Sequence, residues 1–373
     1  MNDSNTMTSG RCQTPTLFIV GYFFKQWQTA GSKRYKGVHV HHMPRKAVVP
    51  AAGLGTRLLP ATKAQPKEML PLVDRPAIQY IIEEAVAAGL DDILVITGKS
   101  KWSIEDHFDK SFELEKHLES NGKTEELELV RSISDLAELH YVRQGEPLGL
   151  GHAVSMAKQH ISGEPFAVLL ADDIMISNHP LLSDMLKLHE KHQCSVLALM
   201  EVPHDTISLY GCVAYVDTDQ PGIVRITGIV EKPDPDDAPS NYAVIGRYIF
   251  NPEIFDCLDQ TKPGRNGEIQ LTDAISLLLK DQPIIGYVIK DGRFDVGTKI
   301  DYLTAIVELA LARDDLGSQF LTILRGIVGR FDDPDPATDP GKHISASIKT
   351  VIQKLERKAV QNNLKYLPKS LRK

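Results

Sequence analysis

From Lys46 onward, short unbroken apolar runs alternate with amphipathic stretches of helical period, and this alternation constrains the fold more than any other feature. "DDILVIT", "FAVLLAD" and "CSVLALMEV" are short and continuously apolar. Runs of that kind belong to strands covered on both faces. Between a first strand, "AVV", and "DDILVIT", "PAIQYIIEEAVAAG" carries Pro76 early and Gly89 at its end, the boundary signals of a helix. A helical stretch is read over "SIEDHFDKSFELEKHLES", then the strand "LHYVRQ", then a helix from Gly151 to His160. Such alternation predicts an α/β fold with a doubly wound, parallel sheet. After about residue 202, "GCVAYVDT", "IVRITGIVEK" and "NYAVIGRYIF" follow one another without long helices, which predicts a smaller antiparallel section. Helical "GEIQLTDAISLLLKD", the strand "IIGYVIK", a turn "GRFDVGTK" and helical "IDYLTAIVELALARDD" complete the pattern.

Open sheets of this class bind ligands at the carboxyl ends of their strands. After the first strand stands "GLGTRLLPATKAQPKEMLP", with Gly53, Gly55, Thr56, Arg57 and Lys67. Glycines let backbone N–H groups turn towards an anion, and the two cations add full charge. No G-x-x-x-x-G-K-[ST] string is present, so this is not a P-loop. Leu58 replaces the third glycine of the dinucleotide fingerprint, and the second strand ends in Gly98 and Lys99 instead of an acid. A different phosphate compound is therefore expected.

The third strand ends in "RQGEPLGLGHA". The amide of Gln144 can pair with a pyrimidine's carbonyl and imide N–H, and Gly149 is read as leaving room for a flat ring. "LLADDI" ends the next strand in Asp172 and Asp173, which alternate across the sheet and so do not share one ion. One carboxylate together with substrate phosphates is a usual way to hold Mg²⁺. Glu231 and Lys232 in "VEKP" set a hydroxyl acceptor beside a phosphate-binding cation, with a surface ion pair as the alternative. Asp295 in "RFDVGTK" is a second metal-ligand candidate, or a turn residue.

"VVPAAGLGTRLLPATKAQPKEMLPLVDRPAIQY", "VRQGEPLGLGHAV", "VEKPDPDDAPSNYAVIGRYIF", "GEIQLTDAI" and "FDVGTK" resemble the bacterial UTP–glucose-1-phosphate uridylyltransferase (UDP-glucose pyrophosphorylase) family, in that family's order, from about Lys46 to Phe320. "KEMLPLVD" and the "EIQLTDAI" block favour it over the dTDP-glucose and ADP-glucose relatives. The resemblance implies a nucleotidyltransferase fold with a mixed, mostly parallel sheet, a Mg²⁺ cofactor and a homo-oligomer. It also implies transfer of a uridylyl group from UTP to glucose-1-phosphate, releasing pyrophosphate. By the same resemblance the Gly53–Arg57 loop is the triphosphate cradle, with Gly55 and Thr56 in it, and Lys67 is a second phosphate-side cation. Ala52, Gln144 and Gly149 match the uracil site, and Asp172 the metal ligand, with Asp295 a second metal-side carboxylate. Gly211, Glu231 and Lys232 match the sugar and sugar-phosphate contacts, with Gly246 close by. Asp173 departs from the family, which more often has an apolar residue there. A catalytically inactive nucleotide-sugar-binding paralogue and a thymidylyltransferase are the alternatives; intact Arg57, Lys67, Asp172 and Lys232 speak against the first.

Composition excludes other classes. A formal net charge of -7 over 373 residues disfavours a nucleic-acid binder with a broad basic face. Cys12, Cys194, Cys212 and Cys257 form no C-x-x-C pair, which points to neither zinc nor disulfides and fits a reducing cytoplasm. "LFIVGYFF" is too short for a bilayer, which takes about 20 apolar residues. It also lacks the flanks of a signal peptide.

The expected organisation is a poorly ordered extension over 1–43, a catalytic domain over 44–331, an acidic, proline-rich linker over 332–341 and a basic tail over 342–373. In the tail, Ile344, Ile348, Val351, Ile352, Leu355 and Ala359 recur at helical spacing. Docking of that stripe on its own or a neighbouring subunit is the reading preferred over an anionic membrane, because the stripe lacks Trp and Phe. A chain beginning at Met43 is expected to keep activity and melting temperature; a large loss of either would show that the extension packs on the enzyme.

Overall fold

A computed structural model describes residues 43–332, apart from 177–179 and 265–266. The expected extension and linker fall outside the described residues except for Met43 and Asp332, and the expected tail helix falls outside entirely. The chain enters through β1 (Lys46–Pro50), and a small hairpin of β2 (Pro71–Leu72) and β3 (Arg75–Pro76) precedes helix α1 (Ala77–Ala87). Gly89, at φ 88°, ends α1: its N–H donates to Val86 O and the next N–H, of Leu90, to Ala85 O. That pair of bonds is the Schellman closure glycine permits.

β4 (Asp92–Thr97) follows, then α2 (Trp102–Phe108), α3 (Phe112–Ser120), α4 (Thr124–Ser134) and β5 (Glu138–Arg143). The single helix expected over residues 103–120 is thus broken. Ile104 and Phe108 are buried on α2, whereas α3 buries only Leu118, so the two serve different faces. The helix expected from Gly151 to His160 is likewise split into α5 (Leu150–Ser155) and α6 (Lys158–Ile161). β6 (Phe166–Leu169), β7 (Asp173–Met175), α7 (Leu181–His192) and β8 (Ser195–Glu201) come next.

The antiparallel section comprises β9 (Gly211–Asp217), β10 (Ile223–Glu231) and β11 (Tyr242–Phe250). It is followed by α8 (Ile254–Gln260), α9 (Leu271–Leu278) and β12 (Ile284–Ile289). Arg293–Asp295, expected as part of a turn, is strand β13 and pairs with β7, setting Asp295 opposite Asp173. Helices α10 (Lys299–Ala312) and α11 (Gly317–Asp332) end the described chain.

Among the described residues the main sheet has nine strands in the order β5-β4-β1-β6-β11-β8-β12-β10-β9. Only β10 and β11 run against the rest, as the pairings of β11 with β6 and β8 and of β10 with β12 and β9 show. The mixed, mostly parallel sheet implied by the sequence is therefore present. An extra contact of β11 with β9, Ala243 opposite Cys212, closes β8, β11, β9, β10 and β12 into a circuit.

Alternation along the inner strands divides the core. Ala47, Val49, Ile93 and Val95 face α1 and α7; Val48, Leu94 and Ile96 face α5, α6, α8 and α9. Both faces are covered, which is why the strands read as continuous apolar runs.

One polar contact crosses the first of these layers. Arg247 on β11 is fully buried; Nε and Nη2 donate to Glu84 of α1 at 3.0 and 2.6 Å, and Nη1 donates to Gly246 O at 2.8 Å. Removing one partner strands a charge inside the protein. Glu84→Ala is expected to lower unfolding free energy by about 3–5 kcal/mol, and Glu84→Leu with Arg247→Met by much less. Urea denaturation reads both; a loss of about 1 kcal/mol or less for Glu84→Ala, the range of an exposed pair, would overturn the assignment.

Candidate active site

The loop after β1 leaves the sheet with Ala51 N–H donating to Ile96 O of β4. Gly98 then lets the backbone after β4 come close to Ala52: a Cβ there would stand 3.1 Å from Ala52 O. Gly55 is at φ 64°, and its carbonyl accepts from Thr62 Oγ1 at 2.7 Å. The left-handed residue starts the single 3-10 turn Thr56–Leu58, which carries Arg57. Lys101 fastens the loop from beneath, donating to Gly53 O and to Glu68 Oε2, both at 2.7 Å. Burial raises the Glu68 carboxyl and lowers the Lys101 ammonium from their ordinary values; each is opposed by the partner's charge.

Above this loop the residues expected on the phosphate side meet. Lys67 Nζ donates to Asp172 Oδ2 in a short, half-buried ion pair, and lies beside Gly53. Burial would raise the Asp172 carboxyl, but Lys67 and then Arg57 hold it below the usual carboxylate value. Burial would depress Lys67, and Asp172 with Glu68 raises it instead. Arg57 is more exposed, with Nη1 4.0 Å from Asp295 Oδ2. A Cβ on Gly297 would lie 2.8 Å from Arg57 Nη2, 2.8 Å from Asp295 Oδ1 and 3.2 Å from Asp172 Oδ2. Both carboxylates and the guanidinium thus converge on one point. Two hard oxygen donors so placed suit a divalent cation such as Mg²⁺.

Asp173 turns the other way. Both its oxygens accept from Arg293 Nε, at 2.7 and 3.0 Å, and Oδ2 accepts from Gly246 N–H at 2.8 Å. It is buried and fully engaged, which leaves Asp172 as the carboxylate facing the loop. Gly246 is buried against Asp173, where a Cβ would come within 2.7 Å of the aspartate's own Cβ; its position as a sugar neighbour is therefore one of packing behind the site.

Of the residues expected at the base, Gln144 is buried, with Nε2 3.3 Å from Gly149 O and 2.8 Å from His152 Nδ1. Gly149 has φ 101°, and a Cβ there would meet Glu268 and Ile269 at 2.8 Å. Close passage of the "GEIQLTD" segment, whose Ile269 bonds to Leu148 and Gly151, requires a glycine here whether or not a ring also lies against it.

Of the residues expected at the sugar, Gly211 abuts Glu231 and Thr272, and Thr272 Oγ1 donates to Glu231 Oε2 at 2.5 Å. Lys232 Nζ is 2.8 Å from Glu231 Oε1, and its backbone holds φ 43° with the N–H on Tyr210 O. Tyr210 links this group to Asp173: Arg293 lies over its ring at 5.0 Å and donates to its hydroxyl at 3.3 Å.

Sequence reading missed Glu68, Lys101, His152, Thr272, Arg293 and Gly297. Most are ordinary residues whose roles arise from contacts distant in sequence. Four lay inside motifs already singled out: Arg293 and Gly297 two residues either side of Asp295, His152 in "RQGEPLGLGHA" and Thr272 in "GEIQLTDAI".

The profile of the nucleotidyl transferase family matches residues 46–311. A UTP–glucose-1-phosphate uridylyltransferase of Bacillus subtilis (strain 168) is 50% identical over 286 residues, 77% of this chain and 98% of that protein. One of Streptococcus pneumoniae is 49% identical over 287 residues, 75% of this chain and 96% of that protein. The crystal structure of a UDP-glucose pyrophosphorylase with UDP-glucose aligns at a TM-score of 0.67 and 45% identity, covering 73% of this chain and 100% of that one. A UTP-bound enzyme of the same kind from Acinetobacter baumannii gives 0.70 and 40%, covering 76% and 99%. The chain belongs to the nucleotidyl transferase family.

Proposed function

We propose that this protein transfers a uridylyl group from UTP to glucose-1-phosphate, releasing pyrophosphate. The observation that carries the reading is the meeting of Lys67, Arg57, Asp172 and Asp295 over the Gly53–Gly55 loop. The relatives' names supply the substrates.

A phosphate oxygen of glucose-1-phosphate attacks the α-phosphorus of UTP in line; that P–O bond forms while the bond to the β-phosphate oxygen breaks. The nucleophile is already an anion, so no general base is needed. The obstacle is the mutual repulsion of two polyanions, which fixed cations and positioning overcome. Lys67 exchanges Asp172 for phosphate oxygens as UTP enters, and with Arg57 it stabilises the departing pyrophosphate. Lys232 holds the sugar phosphate, and Glu231, fixed by Thr272, accepts sugar hydroxyls. Gln144 faces the uracil edge, its amide held by Gly149 O and His152. Asp172 and Asp295 would hold Mg²⁺, which supplies charge neutralisation among the phosphates when bound.

A cytoplasmic homo-oligomer completes the proposal. The three described cysteines are free and buried, as in a reducing compartment, and no described helix is long and apolar enough to cross a membrane. Exposed Ile300 and Leu303 on α10 and Ile323 on α11 are side chains a second copy would cover.

Pyrophosphate release with each nucleoside triphosphate is expected to give the highest kcat/KM with UTP; a higher value with dTTP or ATP would refute the assignment. Lys67→Ala and Lys232→Ala should each lower turnover by about 10²-fold or more, the cost of one donor to developing charge. Lys232→Ala should also raise the sugar-phosphate KM. Near-normal turnover in either variant removes that lysine from the reaction.

The two aspartates should separate cleanly. Asp172→Asn is expected to abolish activity with little change in melting temperature. Asp173→Asn strands Arg293 and should lower the melting temperature instead. The opposite pattern would mean the carboxylates are assigned in the wrong order.

A further inference from the structure

At the amino end of β4, away from the strand ends that carry the phosphate site, three side chains with metal-binding donors meet. In the parallel register Asp92 lies opposite Glu138 and Leu94 opposite His140. With a period of two, Asp92, Leu94, Glu138 and His140 face the same side of the sheet. Leu94 packs there against the layer that contains Ile161 of α6. That contact brings His160, the residue before Ile161, over the strand pair.

The geometry converges on one atom. His160 Nε2 is 2.7 Å from Asp92 Oδ1, and His140 Nε2 is 3.7 Å from the same oxygen. The two rings are 4.8 Å apart between centroids. One donor atom from each of the three residues lies within 4.8 Å of the others. Glu138 Oε1 stands 3.7 Å from His140 Nε2 on a mostly exposed side chain that can swing inward. Lys46 secures the assembly: its ammonium meets His160 O at 3.1 Å, Ile161 O at 3.3 Å and Glu164 at 3.1 Å. An ammonium has three donors, so these contacts occupy it and hold α6 against the strands.

We propose that Asp92, His140 and His160 form a second cation site, for a divalent ion of the zinc class, with Glu138 or water as the fourth ligand. Two imidazoles and a carboxylate are a donor set zinc accepts at about 2.0–2.2 Å. Imidazole nitrogen selects such ions over Mg²⁺, which separates this site from the all-oxygen pair beside Lys67. The donors need only rotamer-scale movement to close on an ion. A simple histidine–aspartate hydrogen bond would account for one imidazole at Asp92 Oδ1, not for two. Bound there, the ion clamps α6 to β4 and β5, so its effect is on stability and not on turnover.

The test uses the full chain, stripped with chelator and kept in millimolar Mg²⁺, and titrated with Co²⁺ and Zn²⁺. His39, His41 and His42 offer a separate chelating tract, so the readout is the difference between the natural protein and His140→Asn or His160→Asn. The natural protein should bind one more Co²⁺ tightly than either variant, with the visible absorption of four-coordinate Co²⁺ lost in both. Zn²⁺ should raise the melting temperature of the natural protein by several degrees and leave the variants unmoved, by mass action on the folded state. Pyrophosphate release, unchanged in both variants, certifies their fold. Equal stoichiometry and equal spectra in all three proteins would overturn the proposal, as would an equal Zn²⁺ effect on melting.

Discussion

Two carboxylates follow one another where the chain passes from β6 to β7, and the site depends on their being kept apart. Side by side in sequence, Asp172 and Asp173 would repel if they faced the same way. The backbone sends them to opposite sides and gives each its own cation, Lys67 to the first and Arg293 to the second. Asp172 thereby keeps its charge where a metal and phosphates would arrive. Asp173 becomes the inner anchor of a chain through Arg293 and Tyr210 to Lys232, just past the end of β10. That buried guanidinium joins the two groups of candidate residues proposed for nucleotide and sugar. Arg247, paired with Glu84 one residue beyond Gly246, keeps β11 from shifting beneath it.

The second structural expense lies under the glycine loop. Glu68 and Lys101 are both nearly without solvent, and Glu68 Oε1 finds no partner at all. A buried ion pair with an unsatisfied oxygen is poor value for stability when set against packed apolar side chains. Its return here is positional: the same ammonium grips Gly53 O, so the loop is held at its carbonyl and its N–H groups remain free to face an anion. Apolar replacement of the pair would fill the volume and release the loop.

The strand–helix alternation and the mixed, mostly parallel sheet were legible because they rest on period. Continuous apolar runs required burial on both faces, and strand ends singled out Gly53, Gln144 and Asp172 as candidates without knowledge of any contact; Asp295 was singled out only as part of a turn. Helix breaks were illegible, since α2 and α3 share one polar-rich stretch and differ only in which neighbour covers them. Strand β13 was missed because three residues carry no period; its identity comes from β7 across the gap. Gly149 has a reason that the sequence did not show, the approach of Glu268 and Ile269. A glycine forced by a backbone more than a hundred residues away looks, in sequence, the same as one forced by a ligand.

Lys232 stands in the left-handed region, where a side chain is costly and glycine is free. Local energetics alone would have placed glycine there. The backbone bond to Tyr210 and the salt bridge to Glu231 hold a lysine in that posture nonetheless. The turn is therefore a loaded one: its conformational preference and its side chain pull against each other. Relaxation of this turn would carry the ammonium away from Glu231, so the backbone posture and the salt bridge stand or fall together.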